Sequence, residues 1–275
     1  MKIQDIRKMI QEVYKDISDA SPLEGDRLLC DILDCDLSTL YSYPEQVIDK
    51  EKIEIIKDCL QKRKIGMPYA YIMKKQFFYG RSFYVDQRVL IPRPETELSV
   101  IEICKLINES KSKVLEIGVG SGAVAITLDL ETPNSIVHGV DISEDALNIA
   151  RKNNKILSGN VTFWKSDLFY DVEETYDIIY SNPPYIESDT LMELSPSVIQ
   201  YEPRLALDGG IDGLDFYRKI IEDGTFFLNK DGYFIFEIGY NQSERIRTIL
   251  CHRGFSHIKI IKDYQGYDRV LIAWR

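Results

Sequence analysis

Hydrophobic positions along this chain fall into two regimes. Over residues 1–65 they recur at helical spacing. Ile3, Ile6, Ile10 and Val13 mark one face of a first helix. Ser21-Pro22-Leu23-Glu24 reads as a capping box with Pro at the first helical position. It opens a second helix whose stripe is Leu23, Leu28, Leu29, Ile32 and Leu33. A third helix runs from about Asp49 through Ile53, Ile56 and Leu60, until Gly66-Met67-Pro68 stops it. From residue 113 the pattern changes. Short apolar runs at 114–117, 136–140, 161–164, 176–181, 233–238, 257–261 and 269–274 read as strands. The first five alternate with helical stretches, as in a parallel, doubly wound sheet. Between the regimes, 77–85 reads as a hairpin with Gly80 in its turn.

The strand ends carry the chemistry. After the run at 114–117 comes Gly118-Val119-Gly120-Ser121-Gly122, and then small apolar residues that open a helix. Glycines there permit a tight turn and close approach of a ligand to the backbone. The loop fits both G-x-G-x-x-A and G-x-G-x-G, so NAD and S-adenosylmethionine both remain open. The next strand ends in Asp141, whose carboxylate can accept from both hydroxyls of a ribose, which the two cofactors share. The third leads into Ser166-Asp167-Leu168. Asp167 there can accept from an adenine amino group, with Leu168 against the ring. Taken singly, each Asp is equally well a helix cap or turn residue.

The fourth strand separates the two cofactors. It ends in Asn182-Pro183-Pro184-Tyr185. Asn182 supplies a carboxamide oxygen. Two prolines fix φ and remove two backbone donors, leaving carbonyls free to face a ligand. Tyr185 adds a flat face with a polar tip. Such a turn suits a planar –NH2 group, as in an amide or the exocyclic amine of a base. A dehydrogenase has no need of it; an enzyme that methylates an amino nitrogen does.

Bulk properties narrow the partners. The chain has 275 residues, 44% of them hydrophobic, and a net charge of −10. Residues 1–75 hold 13 basic and 14 acidic side chains, so nearly all the acidic excess lies downstream. That balance argues against binding DNA phosphates. Cys30, Cys35, Cys59, Cys104 and Cys251 form no CxxC pair, and His138, His252 and His257 are scattered. No metal site and no disulfide is expected. The N-terminus lacks an apolar signal core, and no apolar run spans a bilayer. A soluble, cytoplasmic protein is expected.

Four segments carry a family resemblance. They are Leu90-Ile91-Pro92-Arg93-Pro94-Glu95-Thr96-Glu97, the run from Glu116 to Gly122, Asn182 to Tyr185, and Glu202-Pro203-Arg204-Leu205-Ala206-Leu207-Asp208-Gly209-Gly210. With them the chain resembles, over essentially its full length, the HemK/PrmC peptide-chain release factor glutamine N5-methyltransferases. The resemblance implies an α/β fold. A seven-stranded, Rossmann-like, S-adenosylmethionine-dependent methyltransferase domain at 90–275 would have a mostly parallel sheet. Its last strand, finishing at Trp274, would be antiparallel. An N-terminal helical substrate-recognition domain (1–75) and a β-hairpin linker (76–89) would precede it. One departure is plain: Lys74 stands where the family usually has Gly, and Phe77 where it has Glu.

The implied activity is methylation of the Gly-Gly-Gln glutamine of class I release factors, with S-adenosylhomocysteine as product. The expected clamp is Asn182, Pro183, Pro184 and Tyr185. The Asn182 side-chain oxygen and the Pro183 carbonyl take the two amide hydrogens, and Tyr185 packs on the amide plane. The cofactor is expected on Gly118, Val119, Gly120, Ser121 and Gly122, on Asp141, on Asp167 with Leu168, and beside Asn182. Glu116 would orient the glycine loop or meet the cofactor's ammonium. Arg93, Glu95 and Glu97 would shape a wall or form structural salt bridges. The expected partner is a release factor, acted on by a monomer that binds neither nucleic acid nor membrane. The rival readings are a glutamine methyltransferase for a ribosomal protein, a DNA adenine-N6 methyltransferase, an NAD dehydrogenase and a non-catalytic binding protein.

Overall fold

Helix α1 (Ile3–Tyr14) buries Ile3, Ile6 and Ile10, the face its spacing marks out. The computed structural model describes residues 1–15, 17, 23–107 and 112–275. They divide into two units, one of Met1–Lys75 with Leu194–Tyr201, the other of Gln76–Glu193 with Glu202–Arg275.

In the first unit α2 (Glu24–Leu33) meets α1 at close range: a Cβ on Gly25 would lie 2.4 Å from Ile10 Cγ2. Leu28 and Leu29 are fully buried, but Leu23 is exposed and lies off the stripe. Ser21 and Pro22 of the expected capping box lie outside the described residues. A short α3 (Leu37–Ser42) follows, capped by the Asp36 carboxylate, which accepts the Thr39 N–H at 2.7 Å. Helix α4 (Lys50–Lys64) buries Ile53, Ile56 and Leu60, and its Arg63 pairs with Glu24 at 2.7 Å. Helix α5 (Tyr69–Met73) ends on Lys74, held left-handed at φ +53°. The segment Pro196–Tyr201 (α9 in chain order) joins this unit, where the Tyr201 hydroxyl donates to the Ile65 carbonyl at 3.0 Å.

The second unit opens with the hairpin, β1 (Gln76–Phe78) against β2 (Arg81–Phe83). Tyr79 and Gly80 in its turn both have positive φ, the two-residue turn whose twist matches the strands. Glu97 accepts the Tyr79 N–H at 2.7 Å and so holds that turn.

Then come α6 (Glu97–Leu106), β3 (Lys113–Ile117), α7 (Ala123–Glu131), β4 (Ile136–Asp141), α8 (Glu144–Leu157), β5 (Thr162–Lys165) and β6 (Tyr176–Ser181). After them run α10 (Asp215–Gly224), β7 (Leu228–Glu237), α11 (Ser243–His252), β8 (His257–Lys262) and β9 (Asp268–Trp274). The strands form one sheet in the order β5-β4-β3-β6-β7-β9-β8. Only β9 runs against its neighbours, and it sits between β7 and β8 rather than at the edge. Strand β7 starts earlier than the apolar run at 233 because Leu228 already pairs with Tyr176, ahead of a register shift at left-handed Asp231.

One face of the sheet is covered by Val100 and Ile103 of α6, Val124 and Ile126 of α7, and Leu147 of α8. The other is covered by Tyr217 and Ile220 of α10 and Ile246 and Leu250 of α11. The order reverses between β3 and β6, which puts a crevice beyond the carboxyl ends of those strands.

Candidate active site

A pocket of about 370 Å³ fills that crevice, within the usual size range of ligand sites. The glycine loop forms its floor. Gly118 and Gly120 have φ of +78° and +52°, and a Cβ on either would meet nothing within 4 Å. They present bare backbone to open space. Gly122 is different: it caps α7 at φ +78°, and a Cβ there would lie 3.1 Å from that of Ala150. It is a packing glycine between α7 and α8 and does not line the pocket, whereas Val119 and Ser121 do.

Three carboxylates surround the loop. Glu116 is buried and accepts the Ala125 N–H at 2.7 Å, so it satisfies a free donor at the start of α7. Burial, with Asp141 nearby, pushes its carboxyl well above the usual carboxylate range. Asp141 accepts the Gly120 N–H on one oxygen and the Ser143 N–H on the other, both at 2.9 Å. It therefore ties the end of β4 to the glycine loop while keeping lone pairs for a ligand. Burial raises its carboxyl, against those same N–H groups. Asp167 is exposed at the rim, beside Leu168 at φ +51°. Left-handed backbone is rare for a bulky leucine. Buried Ser166 fixes this turn by donating to the Leu168 carbonyl at 2.8 Å and accepting the Asp171 N–H at 3.0 Å.

The Asn182 loop forms the facing wall. Ser181 donates to the Ile117 carbonyl at 2.8 Å, which locks β6 to β3 where both strands end. Asn182, Pro183 and Pro184 line the pocket. Tyr185 does not; its partly buried ring packs against the core cluster to which α10 and α11 contribute, and burial raises its hydroxyl to about 12. The loop is anchored from behind. Gly209 donates to the Ile186 carbonyl at 2.8 Å, and a Cβ on Gly209 would lie 2.8 Å from the Pro184 oxygen. Gln242 donates to the carbonyls of Tyr185 and Gly213 and accepts the Gly239 N–H, all within 3.1 Å.

The two longest family-like segments meet here. Arg93 donates to Glu202 at 2.5 Å, and the Ile91 N–H reaches the other carboxylate oxygen at 3.3 Å. Arg93 lines the pocket, and Glu95 and Glu97 do not. Sequence reasoning passed over Gln242, Thr96 and Glu237. Thr96 lines the pocket, and Glu237 lies buried at the end of β7 beside Asn182. The signal within reach was Glu237-Ile238-Gly239 at a strand's carboxyl end, at the same edge as Asn182.

The wall opposite the bare glycines offers acceptors and few donors. With a carboxylate at the end of β4, the residues fit a nucleoside-bearing methyl donor. Among the described residues no group of three or more His, Cys, Asp or Glu side chains forms a metal-binding cluster. No described helix is long and apolar enough to cross a membrane.

Known proteins share both halves of the chain. The family described as PrmC N-terminal domain matches residues 4–73, and the methyltransferase small domain matches residues 99–204. A release factor glutamine methyltransferase of Bacillus anthracis is 38% identical over 258 residues, covering 90% of this chain and 91% of that protein. One from Bacillus subtilis is 37% identical over 246 residues, covering 86% and 85%. Among solved structures, a methyltransferase from Pyrococcus furiosus matches with a TM-score of 0.54 at 23% identity, covering 72% of this chain and 90% of that one. The hMettl16 catalytic domain, solved with an RNA hairpin, gives a TM-score of 0.58 at 17% identity, covering 82% of each chain. These two share the fold.

Proposed function

This chain belongs to the release factor glutamine methyltransferase family, and from that membership we propose that it methylates the side-chain N5 of the glutamine in the Gly-Gly-Gln motif of class I release factors. It is an S-adenosylmethionine-dependent enzyme. The donor supplies a methyl group on a positively charged sulfur, and S-adenosylhomocysteine is the proposed product.

The observation that carries this reading is the acceptor-rich Asn182-Pro183-Pro184 wall facing the bare Gly118 and Gly120 backbone across one pocket. An amide nitrogen is a poor nucleophile because its lone pair is delocalised into the carbonyl. Asn182 Oδ1 and the Pro183 carbonyl take its two hydrogens, which orients the nitrogen and stabilises the positive charge that grows on it. Tyr185 supports this wall from behind, through the carbonyl held by Gln242. Asp141 takes the donor's ribose hydroxyls, and Asp167 and Leu168 take its adenine. Gly118 to Ser121 take the amino-acid end, with Glu116 setting the loop's shape. The helical unit supplies binding to the folded release factor. The enzyme is proposed to act as a monomer in the cytoplasm, without binding nucleic acid.

Incubation of the pure protein with methyl-labelled S-adenosylmethionine tests this. Folded class I release factor, ribosomal proteins and duplex DNA are offered in separate reactions. Mass spectrometry is expected to place one methyl group on the release-factor glutamine. Label on DNA or on a ribosomal protein in its place overturns the assignment.

A further inference from the structure

Glu237 is a buried carboxylate that the amide-holding scheme leaves unused. It is 2% exposed, and among the described residues its Oε2 has no hydrogen-bond partner. Buried polar groups are rarely left this way, and those that are tend to mark function. Among the described residues no cation is dedicated to it: Arg269 acts on it from β9 but is paired with Asp263 at 3.1 Å. Tyr217 donates at 2.8 Å to the Glu237 backbone carbonyl, not to its carboxylate.

Its position is set by the sheet. Ser181, the last residue of β6, pairs with Phe236, so Asn182, the next residue, follows β6 at the level where Glu237 ends the neighbouring parallel strand β7. The Asn182 carboxamide and the Thr96 hydroxyl both lie near enough to the Glu237 carboxylate to favour its ionised form. Glu237 itself does not line the pocket; Asn182 and Thr96 do.

We propose that Glu237 is a positioning residue for methyl transfer: its carboxylate accepts from the Asn182 NH2 group and so turns Asn182 Oδ1 into the pocket. The assignment rests on the role given to Asn182 above. The two ends of a carboxamide have nearly the same shape, so packing alone barely selects between them. An ionised carboxylate selects because it only accepts. Protonated, it also donates, and Asn182 can then turn its NH2 group toward the substrate amide, where donor meets donor. Burial pushes the Glu237 carboxyl up to about 7. Glu95 adds to that rise, while Thr96, Arg269 and Asn182 oppose it. The hydroxyls of Tyr180, Tyr185 and Tyr217 also lie within its electrostatic reach.

Two measurements test this. The first needs no release factor: the Asn182 side-chain NH2 signals, assigned by loss in N182A, are followed by nitrogen-15 NMR from pH 5.5 to 8.5. They are expected to titrate near pH 7 in the wild type and to stay flat in Glu237→Gln. The second is single-turnover methylation across the same range. The wild-type rate is expected to rise through about pH 7. In Glu237→Gln that limb disappears and the rate falls about tenfold to a hundredfold, with the KM for the release factor within a few fold. Asn182 signals that do not titrate, or a variant with the wild-type rate and pH profile, overturn the proposal. If the release factor is not the substrate, the wild type fails the second measurement, and the first still decides the role of Glu237.

Discussion

Arg93 Nη2 lies 2.5 Å from Glu202 Oε1, joining two segments 109 residues apart. The pair ties the Pro92-Arg93-Pro94 segment, whose prolines fix φ, to the start of the Glu202–Gly210 segment. Glu202 is almost fully buried, and Arg93 is 35% exposed at the pocket wall. Glu202→Gln leaves the guanidinium without its counter-charge. Because Arg93 keeps contact with water, the expected loss is about 1–2 kcal/mol, below the cost of breaking a fully buried pair. Urea denaturation of the two proteins measures it, and an unchanged midpoint contradicts it.

Gly209→Ala tests whether the Asn182 loop needs its close backing. The new Cβ would stand 2.8 Å from both the Pro184 oxygen and the Tyr185 Cα. Both are backbone atoms, so the loop itself must shift. The turnover rate is expected to fall at least tenfold, since a misplacement of about 1 Å can cost a hundredfold. Affinity for S-adenosylmethionine, read by calorimetry, should hold within a few fold. Weakened cofactor binding with normal turnover would mean that the two walls are not separate.

What the sequence made legible follows from locality. The glycine loop, Asp141 and Asn182-Pro183-Pro184 are contiguous with the strands they end, so spacing alone brings them to one edge of the sheet. Gly122 was legible as a glycine but not as a packing residue, because the neighbour that demands it, Ala150, lies on another helix. Tyr185 was assigned a face toward the substrate, whereas its ring packs against the core and does not line the pocket. Helix α3 went unread although Asp36 is an ordinary N-cap; at six residues it is too short to show a period. The strand-end Glu237-Ile238-Gly239 was readable as a position, but the burial of Glu237 and the loop carbonyls that Gln242 holds depend on segments far away in the chain.

Lys74 offers a test of the family departure. It is exposed and left-handed at φ +53°, a conformation that costs a residue with a Cβ about 1–2 kcal/mol. Glycine there removes that strain but adds freedom to the unfolded chain, which offsets about 0.4–1 kcal/mol. Lys74→Gly is therefore expected to raise stability by about 0.5–1 kcal/mol, read as a higher urea midpoint. A lower midpoint would show that the lysine side chain contributes more than the backbone strain costs.

Glu237 also predicts a pH dependence of stability. Burial pushes its carboxyl up to about 7 in the folded protein, against the ordinary 4.5 of a solvated glutamate in the unfolded chain. Below pH 4.5 both states hold the proton and there is no penalty. As pH rises to about 7 the unfolded chain ionises first, so native stability falls, by a total on the order of 3 kcal/mol. Glu237→Gln has no such group. It should melt higher than the wild type at pH 8, and that advantage should shrink toward pH 5. An equal difference at both pH values contradicts the shift.

Asn182 is proposed to hold the glutamine amide for methyl transfer. The most direct test of that role is single-turnover methylation of a folded class I release factor by Asn182→Ala, with release-factor affinity measured in parallel. Loss of one preorganised hydrogen bond of this kind typically costs about a hundredfold to a thousandfold in rate. A loss of that size is expected, with release-factor affinity within a few fold of wild type. Near-normal turnover in Asn182→Ala would contradict it.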